Sequence, residues 1–168
     1  METKPFRKIL VPTDLSKFSE PAVCLALSLG KALGSELVFI HVWPPEFDYE
    51  EELKASHDGR LKQLREETHQ KHMRALEEFV GLFDAGSSNI SYVMKSGPPY
   101  LAIAMAAKEF EAELIIMGTH GRSGFAHVLI GSVAEKVVRT AHCPVLTVKP
   151  EGFRFEEICA MKPDGCKI

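Results

Sequence analysis

With 168 residues, 45% hydrophobic and 26% charged, the chain has an ordinary globular composition and enough length for one full core. A formal net charge of −3 offers no general attraction to nucleic acid or acidic membranes, and no run approaches the roughly 18 apolar residues needed to span a bilayer. The polar opening METKPFRK lacks a signal-peptide pattern, and Cys24, Cys143, Cys159 and Cys166 form no CxxC pair, so the expectation is a cytoplasmic protein with reduced thiols.

The run Ile9–Val11, followed by Pro12 and Asp14, predicts a short buried strand leaving into a loop. A helix follows, with Pro21 in its first turn, Gly34 as its stop and an apolar face at positions 22, 25, 26, 29 and 33. Leu37–Val42 reads as the second strand. A polar, turn-rich stretch then leads to a long amphipathic helix over 61–83, its stripe placed at positions 61, 64, 68, 75, 79 and 82. NISYVMKSG is a third, less apolar strand, and PPYLAIAMAAKEFEA a helix with its prolines at the start. AELIIMG, GSVAEKVVRTAH and CPVLTVKP complete the pattern as strand, helix and strand.

The order is βαβαβαβαβ, which predicts an α/β fold with a parallel sheet covered by helices on both faces. The expected organisation is one domain over residues 1–150 with an appendage over 151–168. In that tail Phe153, Phe155, Ile158 and Met161 are apolar enough to dock on the domain or on a partner subunit, and Cys159 and Cys166 make only half a zinc site.

Ligands of open parallel sheets bind at the carboxyl ends of strands, near the point where strand order reverses. Three loops leave such ends here: Pro12, Thr13 and Asp14 after the first strand, Val42 at the end of the second, and MGTHGRSG after the fourth. Gly118 and Gly121 would let the backbone turn tightly and approach a ligand. Gly131 and Ser132 open a helix whose N-terminus suits an anion, with Arg122 and the Ser132 hydroxyl as added donors. The loop is neither a Walker A sequence, which needs G-K-[ST], nor a dinucleotide fingerprint, which follows the first strand.

The spacing G-x2-G-x9-G-S, together with KILVPTDLSKFSEPAVCLALSLG, LVFIHV and CPVLTVKP, resembles the universal stress protein family over residues 6–150. The resemblance implies an open five-stranded parallel sheet of order 3-2-1-4-5 with helices on both faces, adenine nucleotide alpha hydrolase-like, and a homodimer through the last strand, Pro144 to Lys149. It also implies bound ATP, ADP or AMP, with Mg2+ or Mn2+ riding on the phosphates rather than in a protein cage. By that similarity Pro12, Thr13 and Asp14 sit at adenine and ribose, Val42 meets the adenine through its backbone, and Met117 and Gly118 line the adenosine. Gly121, Arg122, Gly131, Ser132 and Val133 surround the phosphates. The expected role is a stress-response regulator or sensor, with slow ATP hydrolysis at most. A weak ATPase or nucleotide-transferring enzyme is one alternative, and a nucleotide-free interaction module is another. The protein partner is not named by the sequence.

Plainer roles compete at several positions. Ser132 to Glu135 fit an S-x-x-E capping box, in which Ser132 caps the helix and Glu135 reaches back. Asp14 also suits an ordinary turn, and Arg122 a solvated surface. His69 and His72, with Glu66, share one face of the long helix and lack a third strong ligand, which favours surface or packing roles. His41 reads as a satisfied buried histidine, His120 and His127 as loop spacers, and Cys143 as packing. No nucleophile–base pair, HExxH or GxSxG motif is present.

Overall fold

The computed structural model describes residues 6–43, 59–83, 86, 89–121 and 131–150. Arg122, His127 and the tail with Cys159 and Cys166 lie outside the described residues. Strands β1 (Lys8–Pro12), β2 (Glu36–Trp43), β3 (Ile90–Ser96), β4 (Leu114–Gly118) and β5 (Val145–Val148) alternate with helices α1 (Glu20–Leu33), α2 (Gly59–Gly81), α3 (Pro99–Glu109) and α4 (Ser132–Thr140). The sheet is wholly parallel, in the order β3-β2-β1-β4-β5, as the resemblance implied.

Strand alternation sorts the core into two layers. On one face Ile9, Val11, Leu37, Phe39, Leu114 and Ile116 pack against α1 and against Leu76 and Val80 of α2. On the other, Leu10, Val38, Ile40, Ile115 and Met117 pack against Ile103, Ala106 and Ala107 of α3 and Ala134 and Val137 of α4. The central strands β1, β2 and β4 are therefore apolar on both sides, whereas the edge strand β3 is half-buried throughout.

Helix α1 begins and ends where its sequence dictates. Pro21 occupies its first turn, and Gly34 closes it in the left-handed region at φ 66°, with an N–H bonded to the Gly30 carbonyl. Its buried face is Ala22, Val23, Ala26, Leu27 and Gly30, one step round from the expected one; Leu25, Leu29 and Leu33 are half-buried flanks. The long helix α2 departs further. Leu64 and Leu82 are exposed, while the fully buried positions are Leu76 and Val80. Thr68 bonds its own helix through the Leu64 carbonyl, and the side chain of Leu61 lies outside the described set.

The face continues through His69 and His72, which were expected to lie at the surface or pack. They pack: both meet the ring of Trp43 edge-on at 5.7 Å, and His72 stacks on His41 at 5.8 Å. These contacts use the flat, amphipathic imidazole as an aromatic partner. Cys143 lies half-buried against the α3/α4 layer, where burial pushes its thiol pKa up and keeps it an inert thiol.

Candidate functional site

The sheet has unequal strand lengths at its carboxyl end. Pairing of β1 with β2 stops at Pro12 opposite Ile40, yet β2 runs three residues further beside β3, through His41, Val42 and Trp43. Pairing of β1 with β4 stops at Leu10 opposite Ile115, yet β4 runs three residues further beside β5, through Ile116, Met117 and Gly118. The carboxyl end of β1 is where the strand order reverses: Pro12, Thr13 and Asp14 lie at that end, with Val42 near the end of β2 on one side and Met117 and Gly118 at the end of β4 on the other.

The chain after β1 is held by a continuous hydrogen-bonded turn. The Thr13 N–H donates to the Ile40 carbonyl at 2.9 Å, and His41 Nδ1 lies 2.8 Å from the Thr13 carbonyl oxygen. A carbonyl only accepts, so Nδ1 carries the proton. The Leu15 N–H donates to Thr13 Oγ1, which lies 2.8 Å from Ser19 Oγ, and Ser19 Oγ donates to the Ser16 carbonyl. Since Ser19 has only one hydroxyl hydrogen, Thr13 is the donor between the two hydroxyls. Asp14 Oδ1 accepts from both the N–H and the hydroxyl of Ser16, which orients the carboxylate. Leu15 takes φ 63°, turning the chain out of the strand direction.

Three glycines, Gly118, Gly121 and Gly131, flank the segment that follows β4. None of Gly118, Gly121 and Gly131 has a positive φ, so the expected need for a tight turn is not why glycine stands there. Each is a place where a Cβ would collide. At Gly118 it would lie 3.0 Å from the Phe18 carbonyl oxygen and 3.2 Å from that of His120. At Gly131 it would lie 3.0 Å from the Thr119 carbonyl oxygen, and at Gly121 2.8 Å from Asp14 Oδ2. The Gly131 N–H donates to the Thr119 carbonyl at 2.6 Å, and the Thr119 N–H to the Val148 carbonyl, tying both ends of the segment to the sheet.

Helix α4 starts at Ser132. Gly131 is its N-cap, in extended conformation at φ −65°, and no side chain caps it. The capping-box expectation fails for that reason: Ser132 is one position too late, its side chain is exposed, and the Glu135 carboxylate pairs with Arg139 at 3.1 Å instead. The first turn therefore keeps N–H groups that no capping side chain occupies, a setting that favours an anion. Val133 packs, like Val42, against the α3/α4 layer.

Of the residues singled out from the sequence, Pro12, Thr13, Asp14, Val42, Met117, Gly118, Gly121 and Gly131 lie at strand ends and in the loops that follow them, and Ser132 and Val133 open helix α4. Arg122 is outside the described residues. Sequence reasoning missed Ser19 and Thr119. Among the described residues, four of the five buried polar ones, Thr13, Ser19, His41 and Thr119, gather at this end of the sheet. A serine just before a helix opening and a threonine just after a strand were their only signals. His120 is half-buried, its Nδ1 2.9 Å from the Thr119 hydroxyl, which gives it a loop-holding contact.

The model of the universal stress protein family matches residues 5–149. The universal stress protein MJ0531 of Methanocaldococcus jannaschii is 33% identical over 144 residues, which cover 86% of this chain and 82% of that protein. Among solved structures, protein MJ0577 of the same organism superposes with a TM-score of 0.66 at 27% identity, over 86% of this chain and 96% of its own. A universal stress protein from Archaeoglobus fulgidus, solved in complex with dAMP, shares the fold with a TM-score of 0.57 at 19% identity, over 86% of this chain and 99% of its own. The sheet order and its two helical layers are those of the adenine nucleotide alpha hydrolase-like fold.

Proposed function

Since the chain belongs to the universal stress protein family, we propose that it binds an adenine nucleotide (ATP, ADP or AMP) in the cleft above β1 and acts as a stress-response regulator or sensor. The observation that carries this reading is a set of three close approaches at glycines: Gly118 against the Phe18 and His120 carbonyls, Gly131, at the uncapped start of α4, against the Thr119 carbonyl, and Gly121 against the Asp14 carboxylate. A cradle of main-chain N–H groups at a helix N-terminus, facing a carboxylate that suits ribose hydroxyls, is complementary to a nucleoside phosphate.

In this reading Asp14 accepts from the ribose, and Gly131, Ser132 and Val133 offer N–H and hydroxyl donors to the phosphates, with Gly121 and Arg122 beside them. Val42 meets the base through its main chain, and Met117 and Gly118 line the adenosine. A peptide edge that presents both N–H and C=O matches the adjacent acceptor and amino donor of adenine, and mismatches the reversed pattern of guanine. Mg2+ or Mn2+ is carried by the phosphates. The dAMP complex of the Archaeoglobus fulgidus protein is consistent with a fold that accommodates an adenine nucleotide.

The assembly belongs to the same proposal. Strand β5 is a sheet edge with Leu146 exposed, so a second copy pairing along Pro144 to Lys149 would cover both. We read residues 1–150 as the nucleotide-binding domain, 151–168 as an appendage, and the protein as cytoplasmic. Nucleotide binding then acts by favouring one conformation or assembly state, which requires different affinity for the two. The direct experiment is to denature the purified protein and identify released nucleotide, then titrate the apo protein with ATP. About one adenine nucleotide per chain, or saturable ATP binding, is the expected result. A clean apo protein that ignores ATP, ADP and AMP removes the reading.

A further inference from the structure

The termination of the β1–β2 ladder has a chemical cause. In a parallel ladder, alternate residues turn their N–H and C=O to the same neighbour. Ile40 turns its carbonyl to β1, where the Thr13 N–H takes it. Val42, two residues on, turns its own N–H and C=O the same way. One further rung would join the Val42 N–H to the Thr13 carbonyl and the Leu15 N–H to the Val42 carbonyl. Both partners are engaged elsewhere. The Thr13 carbonyl receives His41 Nδ1–H at 2.8 Å, and the Leu15 N–H is bonded to the Thr13 hydroxyl at 3.1 Å.

We infer that His41 is a positioning residue that stops the ladder at Ile40 and keeps the main-chain edge of Val42 open to a ligand. Its side chain bonds the carbonyl that a Val42 rung would use; that oxygen could accept a second bond, so the ring acts by holding the Thr13 peptide in the turn and out of ladder register. His41 is 3% exposed, its ring is stacked on His72, and the nearby Trp43 is wedged against His69 and His72, so helix α2 holds the imidazole in the orientation that reaches Thr13. The device is local to the sheet: a side chain on the α1/α2 face determines what the backbone offers at the cleft, where the side chain of Val42 lies on the opposite face. The ligand it serves rests on the adenine-nucleotide reading; the ladder termination does not.

The test has two readouts. Amide hydrogen exchange of the apo protein, followed by NMR, places the Val42 N–H well ahead of Ile40. In His41→Phe, which keeps a flat ring for the stack and removes the donor, Val42 becomes protected by about tenfold as the rung closes. ATP calorimetry gives at least about tenfold weaker binding for His41→Phe. Recovery to within about threefold of wild type follows in His41→Asn, whose amide can donate from the position of Nδ1. A role in packing alone reverses that order, with Phe binding as well as wild type and Asn worse, and overturns the inference. Val42 exchanging as slowly as Ile40 in the wild-type protein also overturns it, and needs no variant to fold. If wild type ignores adenine nucleotides, the adenine reading fails, and the Val42 exchange rates still decide the role of His41.

Discussion

Asp14 and Gly121 approach so closely that one added methyl group at Gly121 would lie 2.8 Å from the Asp14 carboxylate. The obstacle is the tip of a side chain, which can swing away, so Gly121→Ala costs little stability, under about 1 kcal/mol. It displaces the carboxylate assigned to the ribose, and ATP affinity drops by about tenfold in calorimetry. Gly118→Ala behaves differently, because its obstacles are the Phe18 and His120 carbonyl oxygens of the backbone. There overpacking costs about 1–3 kcal/mol, and thermal melting and binding fall together.

The phase of α2 is tested by truncation. Leu76 is fully buried and Leu64 is half-exposed. Leu76→Ala is expected to cost about 2–5 kcal/mol in urea unfolding, by lost transfer energy and a residual cavity. Leu64→Ala stays within about 0.5 kcal/mol. Equal effects would mean that the helix packs through another face.

Gly30 lies inside α1, where alanine normally gains about 1 kcal/mol of helix propensity. Here the new Cβ would sit 2.8 Å from the buried side chain of Leu37. Overpacking of about 1–3 kcal/mol outweighs the propensity term. Gly30→Ala is expected to lower the melting temperature by about 2–4 °C, with nucleotide binding unchanged.

The Arg7–Glu113 pair ties the start of β1 to the turn before β4. Arg7 offers Nε, Nη2 and its main-chain N–H to one carboxylate, at 2.6–2.9 Å. Hydrogen bonds from the Arg7 side chain and backbone hold the Glu113 pKa below the usual carboxylate value. A depressed folded pKa gives stability that is present above the unfolded pKa and lost as pH falls through the folded one. Wild type is therefore expected to melt slightly above Glu113→Gln at pH 7, with the gap closing below about pH 4 and shrinking in high salt. A gap that persists at pH 2 would assign the effect to something other than the charge.

Much of this architecture is visible in the residue pattern, for a physical reason. Strands β1, β2 and β4 are buried on both faces, so Ile9–Val11, Leu37–Ile40 and Leu114–Met117 appear as unbroken apolar runs. Pro21 and Gly34 mark α1 because each has a backbone requirement that few residues share. The face of α2 was harder to read, because His69 and His72 count as polar yet pack as aromatic rings, while the apolar Leu64 and Leu82 face outward. Glycine spacing pointed to Gly118, Gly121 and Gly131; the close approaches at those glycines were not legible in it. Close approach depends on Phe18, Asp14 and Thr119, distant in sequence from the glycine each one crowds. Ser132 misled because S-x-x-E suggests an N-cap at Ser132, whereas the N-cap is Gly131, one residue earlier, and no capping box forms.

The shortness of β1 makes the depth of the proposed cleft a whole-number quantity. Each residue of strand is a step of about 3.3 Å, and in register β2 overruns β1 by three residues and β4 by one. Substituting side chains along the strands can reshape the walls, but it cannot make the recess half a step deeper. Its depth changes by adding or deleting residues between Pro12 and Glu20. Relatives that handle ligands of different size are thus expected to differ in the length of that connection before they differ in the strands themselves.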